Sequence, residues 1–253
     1  MNKFLLSVVI PSYNEMANLR KGTLEKLKNY LDKQKDKCSY EVIIVDDGSN
    51  DGSREFVEKF VKENNGFKLV KNSHTGKAGA VTAGVLSSKG DYVLFTDMDQ
   101  ATPIEELDKF FPAIEEGYDI VIGSRSSRRK GSPLTRIIMS KGIIVLRTIL
   151  VGLPKVKDTQ CGFKMFSKSA AKKIFSKVKD IHQGYSQIKG SSVTAGFDIE
   201  LLYLGEKFGY KTREIPVDWL YVETRRVSPI KDSIEGVLDL VKIKLNIING
   251  TYK

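Results

Sequence analysis

Short apolar runs at residues 6–10, 41–45, 67–71, 92–95 and 119–122 alternate with segments of helical composition at 14–35, 51–64, 78–88 and 103–116. Each run is long enough for one strand, and each segment is long enough for the crossover that a parallel neighbour needs. The rhythm calls for an α/β fold with a mostly parallel, doubly wound sheet flanked by helices. In such an open sheet the ligand sits outside the carboxyl ends of the strands, so the loops after the apolar runs are where chemistry is expected.

The second half changes character. A basic loop at 123–132 carries Arg125, Arg128, Arg129 and Lys130, and it leads into an apolar stretch at 137–153. A strand at 162–166, a helix at 167–178, a Gly- and Ser-rich region at 183–196 expected to be mobile, a helix at 197–208 and a strand within 211–222 follow. A final helix at 230–248 is amphipathic: Ile230, Ile234, Val237, Leu238, Val241 and Leu245 fall on one face, which predicts a helix lying along a surface. The 253 residues read as one domain without repeats or long linkers.

Composition narrows the partners. The net charge of +10, from 41 basic and 31 acidic residues, points to a polyanion such as a membrane surface, a nucleotide or a nucleic acid. No zinc-finger, RRM, KH or helix-turn-helix pattern accompanies it, so a nucleic acid is not expected. Two widely spaced cysteines, Cys38 and Cys161, provide no disulfide framework and favour a reducing compartment. The apolar stretch at 137–153 is broken by Lys141 and Arg147, which argues against a spanning helix. Residues 1–11 resemble a short signal segment but carry no cleavage site and run into the first strand, so they read as structure.

Three loops bear the chemistry. Pro11, Ser12, Tyr13, Asn14 and Glu15 follow the first strand and offer a ring, an amide and an acid; they suit a nucleobase and ribose, or equally a strand end with Asn14 capping a helix. The second strand ends in Asp46 and Asp47, adjacent carboxylates that are costly unless something binds them. The fourth ends in Asp97-Met98-Asp99, where a diphosphate and its cation would sit. The segment 72–79 lacks P-loop spacing because Ala78 follows Lys77, although Lys77 stands where a helix N-terminus favours anions.

Taken together, Pro11-Ser12-Tyr13-Asn14-Glu15, Asp46-Asp47-Gly48-Ser49-Asn50-Asp51 and Asp97-Met98-Asp99 resemble the family 2 inverting glycosyltransferases of the GT-A fold. Asp158-Thr159-Gln160-Cys161-Gly162-Phe163-Lys164, Gly196-Phe197-Asp198-Ile199-Glu200 and residues 225–233 are similar to the branch of dolichyl-phosphate β-glucosyltransferases and polyprenyl-phosphate glycosyltransferases. The resemblance implies a nucleotide-sugar-binding half over about 1–125 and an acceptor half with interfacial helices over about 126–253. It implies that Pro11, Tyr13, Glu15 and Asp46 frame the nucleotide, with Asp97 beside the diphosphate and metal and Asp99 the direct metal ligand. Mannosyl relatives add a glutamine two residues after the second acid. Here Ala101 stands there and Gln100 one residue earlier, so Gln100 is the candidate third ligand. Oxygen donors and a chain with only two histidines, His74 and His182, point to Mg²⁺ or Mn²⁺.

The same resemblance implies that Arg225 and Lys231 close over the donor diphosphate, and that Arg125, Arg136 and Ser140 meet an acceptor phosphate. Ser228-Pro229 replaces the glycine usual in the mannosyl branch, which weighs against GDP-mannose, and the expected donor is UDP-glucose. Arg136, Ser140 and Arg147 share one face of a helix at about 100° per residue, a pattern that suits a lipid phosphate at a membrane interface. The expected activity is inverting transfer of a hexose to a polyprenyl phosphate by a peripheral enzyme on the cytoplasmic face of a membrane. Asp158 or Asp198 is expected to orient the acceptor phosphate or take its last proton. A transferase acting on a soluble glycan, or a noncatalytic membrane-surface module, is the alternative.

Overall fold

The computed structural model describes residues 3–125, 134–183, 185, 195–220 and 229–253. Seven strands form one sheet among the described residues: β1 (Phe4–Ser12), β2 (Cys38–Asp46), β3 (Phe67–Lys71), β4 (Tyr92–Thr96), β5 (Ile120–Arg125), β6 (Phe163–Ser167) and β7 (Thr212–Val217). Their order across the sheet is β3-β2-β1-β4-β6-β5-β7. β6 runs antiparallel to both β4 and β5, while the β1–β2, β2–β3, β1–β4 and β5–β7 pairs are parallel. The expected mostly parallel sheet is therefore observed, with one inserted antiparallel strand.

Alternation along the strands fills a core on each face. Leu6, Val8 and Ile10 pack with Leu24, Leu27 and Phe110 on one side. Val9, Ile43 and Val45 pack on the other with α4 (Gly76–Ser87), α7 (Lys168–Ile181) and α8 (Ala195–Lys207). The remaining helices are α1 (Met16–Leu19), α2 (Thr23–Lys33), α3 (Ser53–Glu63), α5 (Phe111–Glu115), α6 (Leu134–Val151) and α9 (Pro229–Ile248).

Two expected helices are broken. The one at 14–35 is split into α1 and α2 by Gly22, whose φ of 75° lies in the left-handed region that ends a right-handed helix. The one at 103–116 is a 3-10 helix, Ile104–Lys109, followed by the short α5, because Pro112 has no N–H with which to continue the helical ladder.

In α9, Leu240 and Ile243 are buried, whereas Ile234, Leu238, Val241, Leu245 and Ile248 are exposed. The apolar row expected to define the helix thus points mainly outward, and α9 packs on α6 and α8 through a different row. Val145 and Ile149 of α6 are exposed as well. Among the described residues, no helix is long and apolar enough to cross a membrane.

Candidate active site

The carboxyl ends of β1, β2 and β4 converge, and each adjacent acid has its own partner. Asp46 is fully buried, and its Oδ2 accepts from Arg54 Nε at 2.7 Å, with Arg54 Nη2 at 2.6 Å. Its Oδ1 is buried without a hydrogen-bond partner among the described residues, as is the hydroxyl of Ser12, its register partner across the β1–β2 pair. Asp47 instead accepts from Thr75 N and Gly76 N, both at 2.8 Å, and so caps the first turn of α4 from a distant loop. The costly pair is thereby divided between a guanidinium and a helix terminus. Arg54 and the capping role of Asp47 were not legible, although the adjacent carboxylates were the signal for both.

The loops after β1 and β2 are cross-stitched. Asn14 N donates to Ser49 Oγ, Asn50 N to Asn14 Oδ1, and Glu15 N to Ser53 Oγ. Glu15 itself accepts from Asn18 Nδ2 at 2.6 Å. Asn14, at φ 55°, therefore ties two loops together instead of capping α1. Pro11 lies opposite Val45 in the β1–β2 register. Tyr13 stacks on His74, with ring centroids 4.3 Å apart. His74 Nδ1 lies 2.7 Å from the Asp47 carbonyl, which fixes the ring; no feature of the sequence singled this histidine out.

At the end of β4, Met98 is buried in the core and its neighbours Asp97 and Asp99 are half-exposed, so both carboxylates reach the open side of the sheet. Lys77, in the first turn of α4, places Nζ 2.5 Å from Asp97 Oδ1. The lysine expected near a bound anion at this helix N-terminus is thus paired with a carboxylate of the acidic motif. Asp99 Oδ1 accepts from Ala101 N at 3.0 Å. Gln100, the expected third ligand, has φ 47°, and its Nε2 donates to Thr23 O at 3.3 Å, which ties the amide to the start of α2. Among the described residues no three His, Cys, Asp or Glu side chains are grouped for one ion. Two hard carboxylates still fit a small divalent cation that draws its other ligands from phosphate and water.

The loop of residues 158–162 reaches the same place from the second half of the chain. A Cβ on Gly162 would lie 2.1 Å from Asp97 Oδ2, so only a glycine lets this backbone rest on the carboxylate. Nearby, Arg125 forms a two-pronged pair with Asp158, Nε to Oδ2 at 2.7 Å and Nη2 to Oδ1 at 2.8 Å. Burial works to raise the Asp158 pKa, but the hydrogen bonds and charge of Arg125 outweigh it and hold the carboxyl below its usual range. Glu214 accepts from the backbone N–H groups of Lys157 and Asp158 and braces the loop from β7. Asp198, in the first turn of α8, lies 2.5 Å from Lys164 Nζ, a fully buried ammonium that also donates to Cys161 O at 2.6 Å. Both acids expected to orient the acceptor phosphate or take its last proton are thus paired with cations.

Arg147 corrects another expectation. It is buried, and its guanidinium donates to the carbonyls of Val156 and Lys157 and to Thr159 Oγ1, so it braces the 153–159 turn and does not meet a lipid phosphate. Arg136 and Ser140 lie in α6 and Lys231 in α9, but their side chains fall outside the described residues. Arg225 and most of the basic loop at 123–132 lie outside them too.

The comparisons with known proteins agree with this geometry. A family model described as Glycosyl transferase family 2 matches residues 7–175. A dolichyl-phosphate beta-glucosyltransferase of Dictyostelium discoideum is 32% identical, covering 100% of this chain and 78% of its own length. The enzymes of the same name from Homo sapiens and Saccharomyces cerevisiae are 32% and 31% identical, covering 98% and 99% of this chain and 77% of their own length. Among solved structures, a mannosyltransferase of Pyrobaculum calidifontis in complex with GDP-Man and Mn²⁺ superposes with a TM-score of 0.65 at 19% identity, over 98% of this chain and 65% of that one. Mannosyl-3-phosphoglycerate synthase of Rubrobacter xylanophilus gives 0.62 at 14% identity, over 98% and 75%. These last two share the GT-A fold. With its motifs standing at the carboxyl edge of that sheet, the chain belongs to glycosyltransferase family 2.

Proposed function

We propose that this chain transfers glucose from UDP-glucose to a dolichyl-type polyprenyl phosphate, with inversion, while bound peripherally to the cytoplasmic face of a membrane. The observation that supports this reading is the seating of Gly162 on Asp97, which brings the loop holding the Arg125–Asp158 pair to the acidic motif. The names of the relatives supply the sugar and the lipid.

In this reading the unpartnered Asp46 Oδ1 accepts an N–H of the base, and Pro11, Tyr13 and Glu15 frame the nucleoside. Asp97 and Asp99 would hold Mg²⁺ or Mn²⁺, which when bound neutralises charge on the departing diphosphate. Lys77, Arg225 and Lys231 supply positive charge to the same leaving group. Arg125, Arg136 and Ser140 hold the acceptor phosphate. A phosphate monoester has a second pKa of about 6, so its oxygen is already anionic at neutral pH and needs orientation more than a strong base. Asp158 and Asp198 are positioning residues, acting through Arg125 and Lys164.

The exposed apolar rows of α9 and α6 support an interfacial location, since side chains held out of the core at this density fit the headgroup boundary of a bilayer. Two unpaired, buried cysteines are in keeping with a reducing compartment. The test is incubation with UDP-glucose, UDP-galactose or GDP-mannose, a polyprenyl phosphate and Mg²⁺ or Mn²⁺, followed by mass analysis of the lipid. A hexosyl-phosphoprenol formed from UDP-glucose supports the reading; transfer only to a soluble glycan refutes it.

A further inference from the structure

Beyond β7 the chain continues as Asp218-Trp219-Leu220, and two backbone bonds fasten it across the loop that follows β4. Asp218 N donates to Glu106 Oε2 at 3.0 Å and Leu220 N to Ala101 O at 2.7 Å. The two apolar side chains in this fastened segment remain outside the core, with Trp219 37% and Leu220 57% exposed. β7 pairs with β5 so that Val217 lies opposite Arg125, and the Arg125 guanidinium sits 5.9 Å from the centre of the Trp219 ring. The Asp158-paired guanidinium thus adjoins an exposed ring, and exposed Leu220 follows it in sequence, tied by its N–H to Ala101, two residues from Asp99 along the acidic loop.

Rigidly held, exposed apolar groups carry a standing hydration cost that a ligand can relieve. An anion on Arg125 with hydrocarbon joined directly to it would meet both halves of this surface at once. We propose that Trp219 and Leu220 seat the first isoprene unit of the acceptor, immediately next to its phosphate; this rests on the acceptor proposed above. The Trp219 ring stands beside Arg125 and the Leu220 backbone is tied to the Ala101 carbonyl, so the segment is placed to serve the carbons nearest the reacting oxygen. The exposed rows facing a bilayer belong to α6 and α9 instead.

Trp219 is the sole tryptophan of the chain, so its fluorescence reports the site directly. Titrating the full chain with citronellyl phosphate should shift the emission to the blue, while inorganic phosphate should leave it in place. Trp219→Ala and Leu220→Ser should each raise KM for citronellyl phosphate about tenfold, with KM for UDP-glucose unchanged within about twofold. Trp219→Phe, which keeps an aromatic wall, should recover most of the loss. Emission indifferent to citronellyl phosphate, or shifted equally by anionic vesicles free of prenyl phosphate, overturns the proposal. So does a folded Trp219→Ala protein with unchanged acceptor KM. If the blue shift occurs but no sugar is transferred, the seat stands and the proposed reaction fails; if transfer occurs without the shift, the reverse holds.

Discussion

Replacing Gly162 with alanine tests whether the acceptor loop and the acidic motif form one reacting centre. The new Cβ would stand 2.1 Å from Asp97 Oδ2 and 2.8 Å from its Cγ, more than an ångström short of ordinary contact. Because the other carboxylate oxygen is engaged by Lys77 at 2.5 Å, Asp97 cannot turn aside without loosening that pair, and the loop cannot rise without carrying Asp158 with it. Misplacement of about 1 Å in a reacting geometry costs on the order of a hundredfold in rate. Overpacking of this kind costs roughly 1–3 kcal/mol of stability, equivalent to a fall in Tm of about 2–12 °C for a chain of this size. Glucosyl transfer to prenyl phosphate should therefore drop about a hundredfold in kcat/KM at a temperature where the variant remains folded by circular dichroism, and half-saturation by Mn²⁺ should move upward. Near-wild-type turnover, or a loss that merely follows the unfolded fraction, would refute the reasoning.

Further predictions concern single side chains. Asp99→Asn removes a charge but no core volume, so transfer should be lost while Tm stays within a few degrees; metal-dependent turnover close to wild type would remove Asp99 from the site. Asp46→Ala should raise KM for the nucleotide-sugar and leave acceptor KM unchanged, and calorimetry showing intact donor affinity would return that loop to a structural role. Asp158→Asn should lower stability in urea at pH 7 by roughly 3 kcal/mol, because it strands the half-buried Arg125 guanidinium. The folded-state pKa of Asp158 is depressed, so its contribution is complete above the unfolded value of about 3.9 and is lost as pH falls through the lower folded value. The gap between wild type and variant should accordingly persist from pH 7 to about pH 4 and close only below that. High salt or alkaline carbonate should release at least part of the protein from membranes, whereas extraction by detergent alone would indicate deeper insertion than α6 and α9 suggest.

The strands were readable because buried parallel strands are nearly continuous apolar runs, and the acidic motifs were readable because carboxylates at strand ends interrupt them abruptly. What sequence could not carry was pairing between distant segments. Nothing near position 46 names Arg54 as its partner over other cations, and nothing near 164 announces that Lys164 would be wholly buried against Asp198. Periodicity grouped Arg147 with Arg136 and Ser140, yet it is silent on which way a side chain turns; the inward placement of Arg147 comes from three acceptors supplied by residues 156–159. The same ambiguity affected α9, where two apolar rows compete and α8 accepts the less conspicuous one. Nor could the sequence show that Gln100 adopts a left-handed backbone and that its amide bonds Thr23 O at the start of α2.

The reversed strand β6 has a consequence for how the molecule can be divided. It comes from the second half of the chain, yet it lies hydrogen-bonded between β4 and β5 of the first. A fragment ending after β5 would leave one side of β4 bare and strip β5 of both neighbours, exposing open backbone edges of the kind that drive intermolecular strand pairing. The halves proposed to bind donor and acceptor should therefore resist separation into exchangeable modules. Swapping the acceptor half between relatives to change lipid preference would have to preserve the β4–β6–β5 ladder residue for residue, whereas grafts confined to the connecting loops would leave it intact.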